Sequence, residues 1–306
     1  MANKGRVQKV RIVGVPLDLG ADRRGIDMGP DALRNDGLVE QILRLGIDVE
    51  DTGNIQMPPK PIQKRVPRDE RLKNYHEVID ACRKVRDFVG QSIDDGFFPL
   101  VIGGDHSIAM GTTAALSKHY ERIGMLWIDA HGDFNTEATT ISGNIHGMSF
   151  ATSVGRGTKR LVGQMGVRSC VCEDHCVLIG ARDLDPLEQE ALKKSKVTVF
   201  TMRDIDEQGM YKIMRKALKI ACDGVDALHV SFDLDSMDPV EAPGVGTPVQ
   251  GGITYREAHL AMEMISECDK LKSLEVVELN PILDQHNVTG KLAIGLITSA
   301  LGKKIL

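Results

Sequence analysis

Histidine and aspartate recur in three short clusters of this chain, each directly after an apolar run. Gly103-Gly104-Asp105-His106-Ser107 follows the run at 99–102. Asp129-Ala130-His131-Gly132-Asp133 follows 125–128, and Asp233-Leu234-Asp235-Ser236-Met237-Asp238-Pro239 follows 228–232. His106, Asp129, His131, Asp133, Asp233 and Asp235 are therefore candidates to face one pocket. In an extended segment, residues i, i+2 and i+4 share a face, which is the spacing of Asp129, His131 and Asp133 and of Asp233 and Asp235. Carboxylates gathered this way repel one another and resist ionising unless cations neutralise them. Hard oxygen donors mixed with imidazole suit Mn²⁺ or a similar ion, and the absence of thiolate from the set argues against a soft metal. Six ligands are too many for one catalytic metal with an open position. They suit a pair of ions about 3.5–4 Å apart that share bridging carboxylates. Each cluster alone is weak, since Asp-x-Asp at a strand end is commonly a turn or cap and a His beside Gly-Gly is commonly structural. Their shared placement after apolar runs is what lifts them above that reading.

The elements that must position these clusters are legible as short Val-, Ile- and Leu-rich runs at 10–15, 99–103, 125–129, 177–180, 197–201, 228–233 and 274–278. Runs of this kind, bounded by Gly or Asp, are expected of parallel strands covered on both faces. Helical patterns lie between them, at 74–94, 206–222 and 255–265. Strands alternating with helices predict an α/β layered sandwich, in which ligands bind beyond the carboxyl ends of the strands. No repeat, low-complexity stretch or linker divides the chain, so residues 1–306 read as a single domain. The segment 57–71, rich in Pro, Lys and Arg without apolar period, reads as a surface loop.

Composition narrows the function classes. With 42% hydrophobic residues in 306, the chain can bury a large core, and its net charge of −5 offers no field for nucleic acid. No window of 18 or more apolar residues is present, so no membrane span is expected. The basic N-terminus lacks the apolar stretch of a signal peptide, which makes the cytoplasm the expected compartment. The six cysteines are then expected as reduced thiols rather than a disulfide framework. Cys170, Cys172, His175 and Cys176 lie close together, but C-x-C-x2-H-C lacks the separated ligand halves of a structural zinc site and reads as a loop with incidental thiols. His229 alternates away from Asp233 inside its run and is expected in the core or behind the ligands. His76, His119, His175, His259 and His286 lie in polar or helical contexts without a site.

Gly-Gly-Asp-His-Ser, Asp-Ala-His-Gly-Asp and Ser-Phe-Asp-Leu-Asp-Ser-Met-Asp-Pro resemble the signature blocks of the ureohydrolase family, which includes arginases, agmatinases and formiminoglutamases. The resemblance runs from Val10 to nearly the C-terminus. It is strongest to bacterial arginases, through Ala242-Pro243-Gly244-Val245-Gly246-Thr247-Pro248-Val249 and Val277-Glu278-Leu279-Asn280-Pro281. It implies a three-layer α/β sandwich with a central parallel sheet of about eight strands, two Mn²⁺ per subunit, and a homo-oligomer, trimer or hexamer. It also implies roles. His106 and Asp133 complete one manganese site and His131 and Asp235 the other, with Asp129 and Asp233 bridging. Glu278 holds the guanidinium, Thr247 helps line that pocket, and His146 shuttles protons. A hydroxide bridging the two ions would attack the guanidinium carbon, and Asp133 would pass its proton to the leaving nitrogen.

Substrate choice divides the family. By the same resemblance, Asn135 and Ser142 hold an α-carboxylate, with Asn144 in the same loop, and Asp185 holds an α-ammonium, with Glu188 close by. These residues imply L-arginine as substrate, cleaved to L-ornithine and urea. The alternatives are an agmatinase or other guanidino-substrate ureohydrolase, a zinc deacetylase of related fold, which would not need all six ligands, and an inactive metal-binding scaffold, which would not need His146 and Glu278. The Thr254-Tyr255-Arg256-Glu257 segment offers charges for a subunit contact, and equally reads as a helix N-cap with a solvated first turn.

Overall fold

The computed structural model describes residues 7–59, 71–165 and 171–304. Eight strands form one sheet: β1 (Lys9–Val15), β2 (Asp48–Asn54), β3 (Phe98–Gly103), β4 (Ile123–Ile128), β5 (Val171–Ala181), β6 (Thr198–Thr201), β7 (Ala227–Asp233) and β8 (Leu271–Val277). Their order is β2-β1-β3-β8-β7-β4-β5-β6, and every neighbouring pair is parallel. Parallel pairing requires crossovers, and helices supply them on both faces.

The unbroken apolar runs follow from that three-layer arrangement. Along β4, Leu126 and Ile128 pack into the core on one face, while Met125 and Trp127 pack into the core on the other. β3 divides the same way, with Leu100 and Ile102 on the first face and Val101 on the second. One core lies under the helices Met210–Ala221, Tyr255–Ser266 and Val288–Ala300. The opposite one lies under Tyr75–Asp94 and Ala109–His119.

All seven expected strands are present, with ends shifted by a few residues. β5 shifts most: it opens at Val171, so Cys172, His175 and Cys176 sit on a strand rather than in the expected loop. Cys170 lies outside the described residues. The helix expected at 206–222 is two helices, Met202–Gln208 and Met210–Ala221, because Gly209 between them takes φ 81° and cannot continue the first. The expected loop at 57–71 falls mostly outside the described residues. The Thr254 segment forms an N-cap: its hydroxyl accepts from the backbone N–H of Glu257, and the Glu257 carboxylate accepts in return from the backbone N–H of Thr254 at 3.0 Å. That bond pattern commits Glu257 within its own helix. Among the described residues, no helix is long and apolar enough to cross a membrane.

Candidate metal centre and substrate cleft

The three clusters leave the carboxyl ends of β3, β4 and β7. Glu278 follows β8, and Asp185 lies beyond the end of β5. These five strands are consecutive in the sheet, in the order β3-β8-β7-β4-β5, so their ends form one continuous floor. All six candidate ligands converge there. Nδ1 of His106 lies 3.2 Å from Asp129, 3.1 Å from Asp133 and 3.0 Å from Asp233. Nδ1 of His131 lies 3.1 Å from Asp235 and 3.5 Å from Asp129. Two ligand groups result, His106-Asp129-Asp233 and Asp129-His131-Asp235, and Asp129 belongs to both.

The convergence does not come from strand alternation, as the spacing suggested. β4 ends at Ile128 and β7 at Asp233, and beyond them the chain turns. The Asp129 carboxylate accepts from the backbone N–H of His131 at 2.7 Å, and that of Asp233 from the N–H of Asp235 at 2.7 Å. Each aspartate thus folds its own follower back over the site. Asp133 adopts φ 47° and Glu278 φ 69°, left-handed conformations that non-glycine residues rarely take. Such strain persists where surrounding structure enforces it, and here it aims two carboxylates into the cavity.

The donor set fits a pair of divalent cations on physical grounds. One imidazole N–H can satisfy one carboxylate, yet Nδ1 of His106 faces three. Burial pushes Asp133, Asp233 and Asp235 above the usual carboxylate range, and neighbouring carboxylates add to this. Burial also penalises the Asp129 anion, but the two histidines outweigh it and hold that carboxyl below the usual range. So dense a set of buried carboxylates, with two imidazoles among them, calls for multivalent positive charge at its centre.

Behind the ligands stands a set of supporting residues, of which sequence reasoning had singled out only His229 and Thr247. Nε2 of His106 meets the hydroxyl of Ser231 at 2.7 Å, and that hydroxyl donates to Glu275 at 2.6 Å. His229 bridges Ser273 and Glu275 at 2.7 and 3.3 Å, which confirms its place behind the ligands. Trp127 stacks on the His106 ring at 4.1 Å and donates its indole N–H to Asp129 at 2.9 Å. Ser149 donates to Asp133 at 3.1 Å, and Thr247 to Asp235 at 2.8 Å. The period-2 pattern of β7 holds a faint signal, since His229 and Ser231 interrupt an otherwise apolar strand. Asp105 is no ligand: it caps the turn His106–Ile108, accepting from Ser107 N and from Gly20 N at 2.8 Å.

A cleft of about 170 Å³ opens above the ligands. Asn135, Ser142, Asn144, His146, Asp185, Glu188 and Thr247 line it together with His131, Asp133, Asp233 and Asp235. Asn135 donates its amide to Asp185 at 3.0 Å. Glu188 engages backbone with both oxygens, Phe134 N at 2.7 Å and Asp185 N at 3.2 Å, and burial pushes its carboxyl up to about 7. Glu278 closes the adjoining wall beside Gly246 and Thr247. One of its oxygens accepts from His106 N at 2.8 Å and meets Nδ1 of His146 at 3.1 Å, while Oε2 is buried without a partner. Burial lowers the His146 pKa, but the Glu278 hydrogen bond and charge prevail and lift it to about 9. Among the described residues, no ligand group for a metal includes Cys172, His175 or Cys176; His175 instead meets the Arg122 guanidinium at 3.0 Å.

A parallel α/β sheet with paired candidate ligand groups at its carboxyl edge and a polar cleft above them has the build of an α/β enzyme site. Residues 8–302 match the family described as Arginase family. An arginase of Bacillus subtilis is 49% identical over 300 residues, covering 97% of this chain and 99% of its own. An arginase of Bacillus caldovelox is 46% identical, and its solved structure superposes with a TM-score of 0.94 over 98% of this chain and 100% of that one. An Entamoeba histolytica arginase solved in complex with L-ornithine is 32% identical, with a TM-score of 0.89 over 97% and 100% of the two chains. The chain belongs to the arginase family and is an enzyme of it.

Proposed function

We propose that residues 1–306 act as one catalytic domain that hydrolyses L-arginine to L-ornithine and urea at a two-manganese centre. One observation carries this reading: Oε2 of Glu278 is buried, unpartnered and next to the ligand cluster. A buried carboxylate oxygen left free at a cleft requires a cationic donor, and a planar guanidinium offers several N–H groups to it. His106, Asp129, Asp133 and Asp233 would hold one ion, and His131, Asp129, Asp233 and Asp235 the other. Oxygen and imidazole donors without thiolate favour manganese. When bound, such a pair lowers the pKa of water from 15.7 to about 7 and supplies a nucleophile at neutral pH.

The chain's own residues perform the remaining tasks. Glu278 fixes the guanidinium carbon over the ligands, turning a bimolecular encounter into an oriented one. Asp133, held by the Ser149 hydroxyl at 3.1 Å, receives a proton on its carboxylate and returns it to the departing amine nitrogen. His146 moves protons between the cleft and solvent through its ring nitrogens. At the far end of the substrate, Asn135 and Ser142 donate to the α-carboxylate, and Asn144 shapes the same loop. Asp185 accepts from the α-ammonium, and Glu188 holds the Asp185 turn beside Phe134. Thr247 lines the pocket and steadies Asp235.

Removing metal with a chelator should abolish urea formation from arginine, and Mn²⁺ should restore it with two ions bound per chain. Full activity with one tightly bound ion would overturn the two-ion centre, and urea from agmatine but not arginine would move the chain to another ureohydrolase activity. By resemblance to bacterial arginases, the protein works in the cytoplasm as a trimer or hexamer. Light scattering that showed a stable monomer at working concentration would overturn that assembly.

A further inference from the structure

Two cysteines unconnected with the metal centre stand side by side at the opposite edge of the sheet. Cys222 ends the helix Met210–Ala221, and Cys268 lies in the turn between the helix Tyr255–Ser266 and β8. Their sulfurs are 3.2 Å apart although 46 positions separate them in the chain. Both are half-buried and pack against the same core. Lys270 fixes the two segments together, donating to the carbonyls of Cys222 at 2.9 Å and Val225 at 3.0 Å. A disulfide needs a sulfur separation of about 2.05 Å, so closure asks for a movement of only about 1.2 Å. Cys82 and Cys176, by contrast, are fully buried and donate to the backbone carbonyls of Ser107 and Cys172.

We propose that Cys222 and Cys268 form a reversible modification site, a dithiol that small disulfide oxidants close into a cross-link between these two helical segments. Cys268 is the nucleophile. The Cys222 S–H and the backbone N–H groups of Lys270 and Leu271 stabilise its thiolate and lower its pKa to about 6, against the burial that opposes this. The thiolate attacks one sulfur of the oxidant and expels the first small thiolate. Cys222 then gives its proton to solvent and attacks Sγ of Cys268, expelling the second. Two protein thiols become one disulfide, and one small disulfide becomes two thiols.

The position of the pair sets the consequence. Both cysteines precede the amino ends of β7 and β8, whereas Asp233, Asp235 and Glu278 lie at the carboxyl ends. Seven residues of β7, at about 3.3 Å each, place the cross-link roughly 20 Å from the metal ligands. Closing a loop of this length constrains the unfolded chain, so oxidation raises stability and leaves the cleft in place.

The test equilibrates metal-loaded protein with rising ratios of glutathione disulfide to glutathione, traps free thiols with N-ethylmaleimide and maps peptides. A peptide pair joined through Cys222 and Cys268 is expected before Cys82 or Cys176 reacts, and dithiothreitol should reverse it. Tm should rise by at least about 3 °C on oxidation, and this rise should vanish in Cys222→Ser and Cys268→Ser. Cys222→Ser should instead accumulate glutathione on Cys268. Should either variant fail to fold, the wild-type peptide map decides alone. Free alkylation of both cysteines at every ratio, or a stable glutathione adduct on Cys268 of the wild-type protein, would overturn the proposal.

Discussion

Nε2 of His106 lies 2.7 Å from the hydroxyl oxygen of Ser231, directly behind the metal cavity. Ser231 has one proton to give, and Glu275 takes it at 2.6 Å. The hydroxyl must then accept from His106, which places the imidazole proton on Nε2 and leaves Nδ1 as a lone pair on the cavity side. Ser231 and Glu275 thereby select the tautomer that can bind a cation. Ser231→Ala and Glu275→Gln are each expected to weaken manganese binding about 10–100-fold while the far-ultraviolet circular dichroism stays native. Unchanged affinity on metal titration would show that the tautomer is fixed by some other means.

Arg182 fastens the other side of the site. Its guanidinium donates to the carbonyls of Asp235 at 2.8 Å, Ser236 at 3.0 Å, Met237 at 3.1 Å and Val249 at 2.7 Å. The loop carrying Asp235 and the loop carrying Thr247 are thus tied to one planar fork, which lysine cannot reproduce. Arg182→Lys should cost at least about 2 kcal/mol of stability, because several buried carbonyls lose their donor. It should also lower kcat for arginine and loosen one of the two ions. Retention of full stability in a thermal melt would refute this account.

Much of this was legible before the fold, and the exceptions share physical causes. The runs 99–103 and 228–233 announced β3 and β7 because parallel strands buried on both faces need apolar residues at every position. β2 escaped: Asp48-Val49-Glu50-Asp51-Thr52-Gly53-Asn54 forms the sheet edge, is largely exposed and carries no apolar signal. The helix Ala109–His119 escaped for the opposite reason, being buried almost all round and so without an amphipathic period. His106, Asp129 and Asp233 stood out by type and position. Their supports did not, since Ser231 meets His106 across 125 positions of chain, and Glu275 reaches it only through Ser231. The left-handed backbone at Asp133 and Glu278 is likewise a product of tertiary packing, and nothing in a local window marks it.

The pair Arg156 and Glu173 gives a pH-dependent contribution to stability. Arg156 grips both oxygens of Glu173, the second at 3.0 Å, and Glu173 also accepts from Lys196 N at 3.0 Å. The Arg156 hydrogen bond, opposed by burial, holds the Glu173 carboxyl below its ordinary 4.5. A depressed folded-state pKa stabilises the native form above the ordinary value, and that contribution fades as pH falls through the depressed one. Glu173→Gln should therefore melt about 1–3 °C below wild type at pH 7, and the gap should narrow as pH falls below the ordinary 4.5 and close once it passes the depressed value. A gap that stayed constant over this range would show that packing rather than charge governs the pair.

Discrimination between arginine and agmatine tests the substrate end of the cleft. The two differ by one carboxylate, and a site built for it must offer neutral or positive donors. The Asn135 amide has two N–H groups: one is committed to Asp185 at 3.0 Å, and the other is the one proposed to meet the α-carboxylate. The Ser142 hydroxyl lies in a loop pinned at Gly143, whose carbonyl accepts from Lys73 N at 3.0 Å. Hydrogen bonds to charged groups contribute roughly 1.5–3 kcal/mol each, so two or three of them favour arginine by several kcal/mol. Agmatine would also leave buried polar groups unpaired, which deepens its rejection. The expected ratio of kcat/KM for arginine over agmatine is at least about a thousandfold. Asp185→Asn keeps an acceptor at the N-cap of the helix Pro186–Lys193 but removes the charge proposed to meet the α-ammonium. It should lower kcat/KM for arginine at least about tenfold, leave manganese content intact and narrow the ratio. Equal turnover of the two substrates by the unmutated enzyme would show that Asn135, Ser142 and Asp185 do not select the substrate.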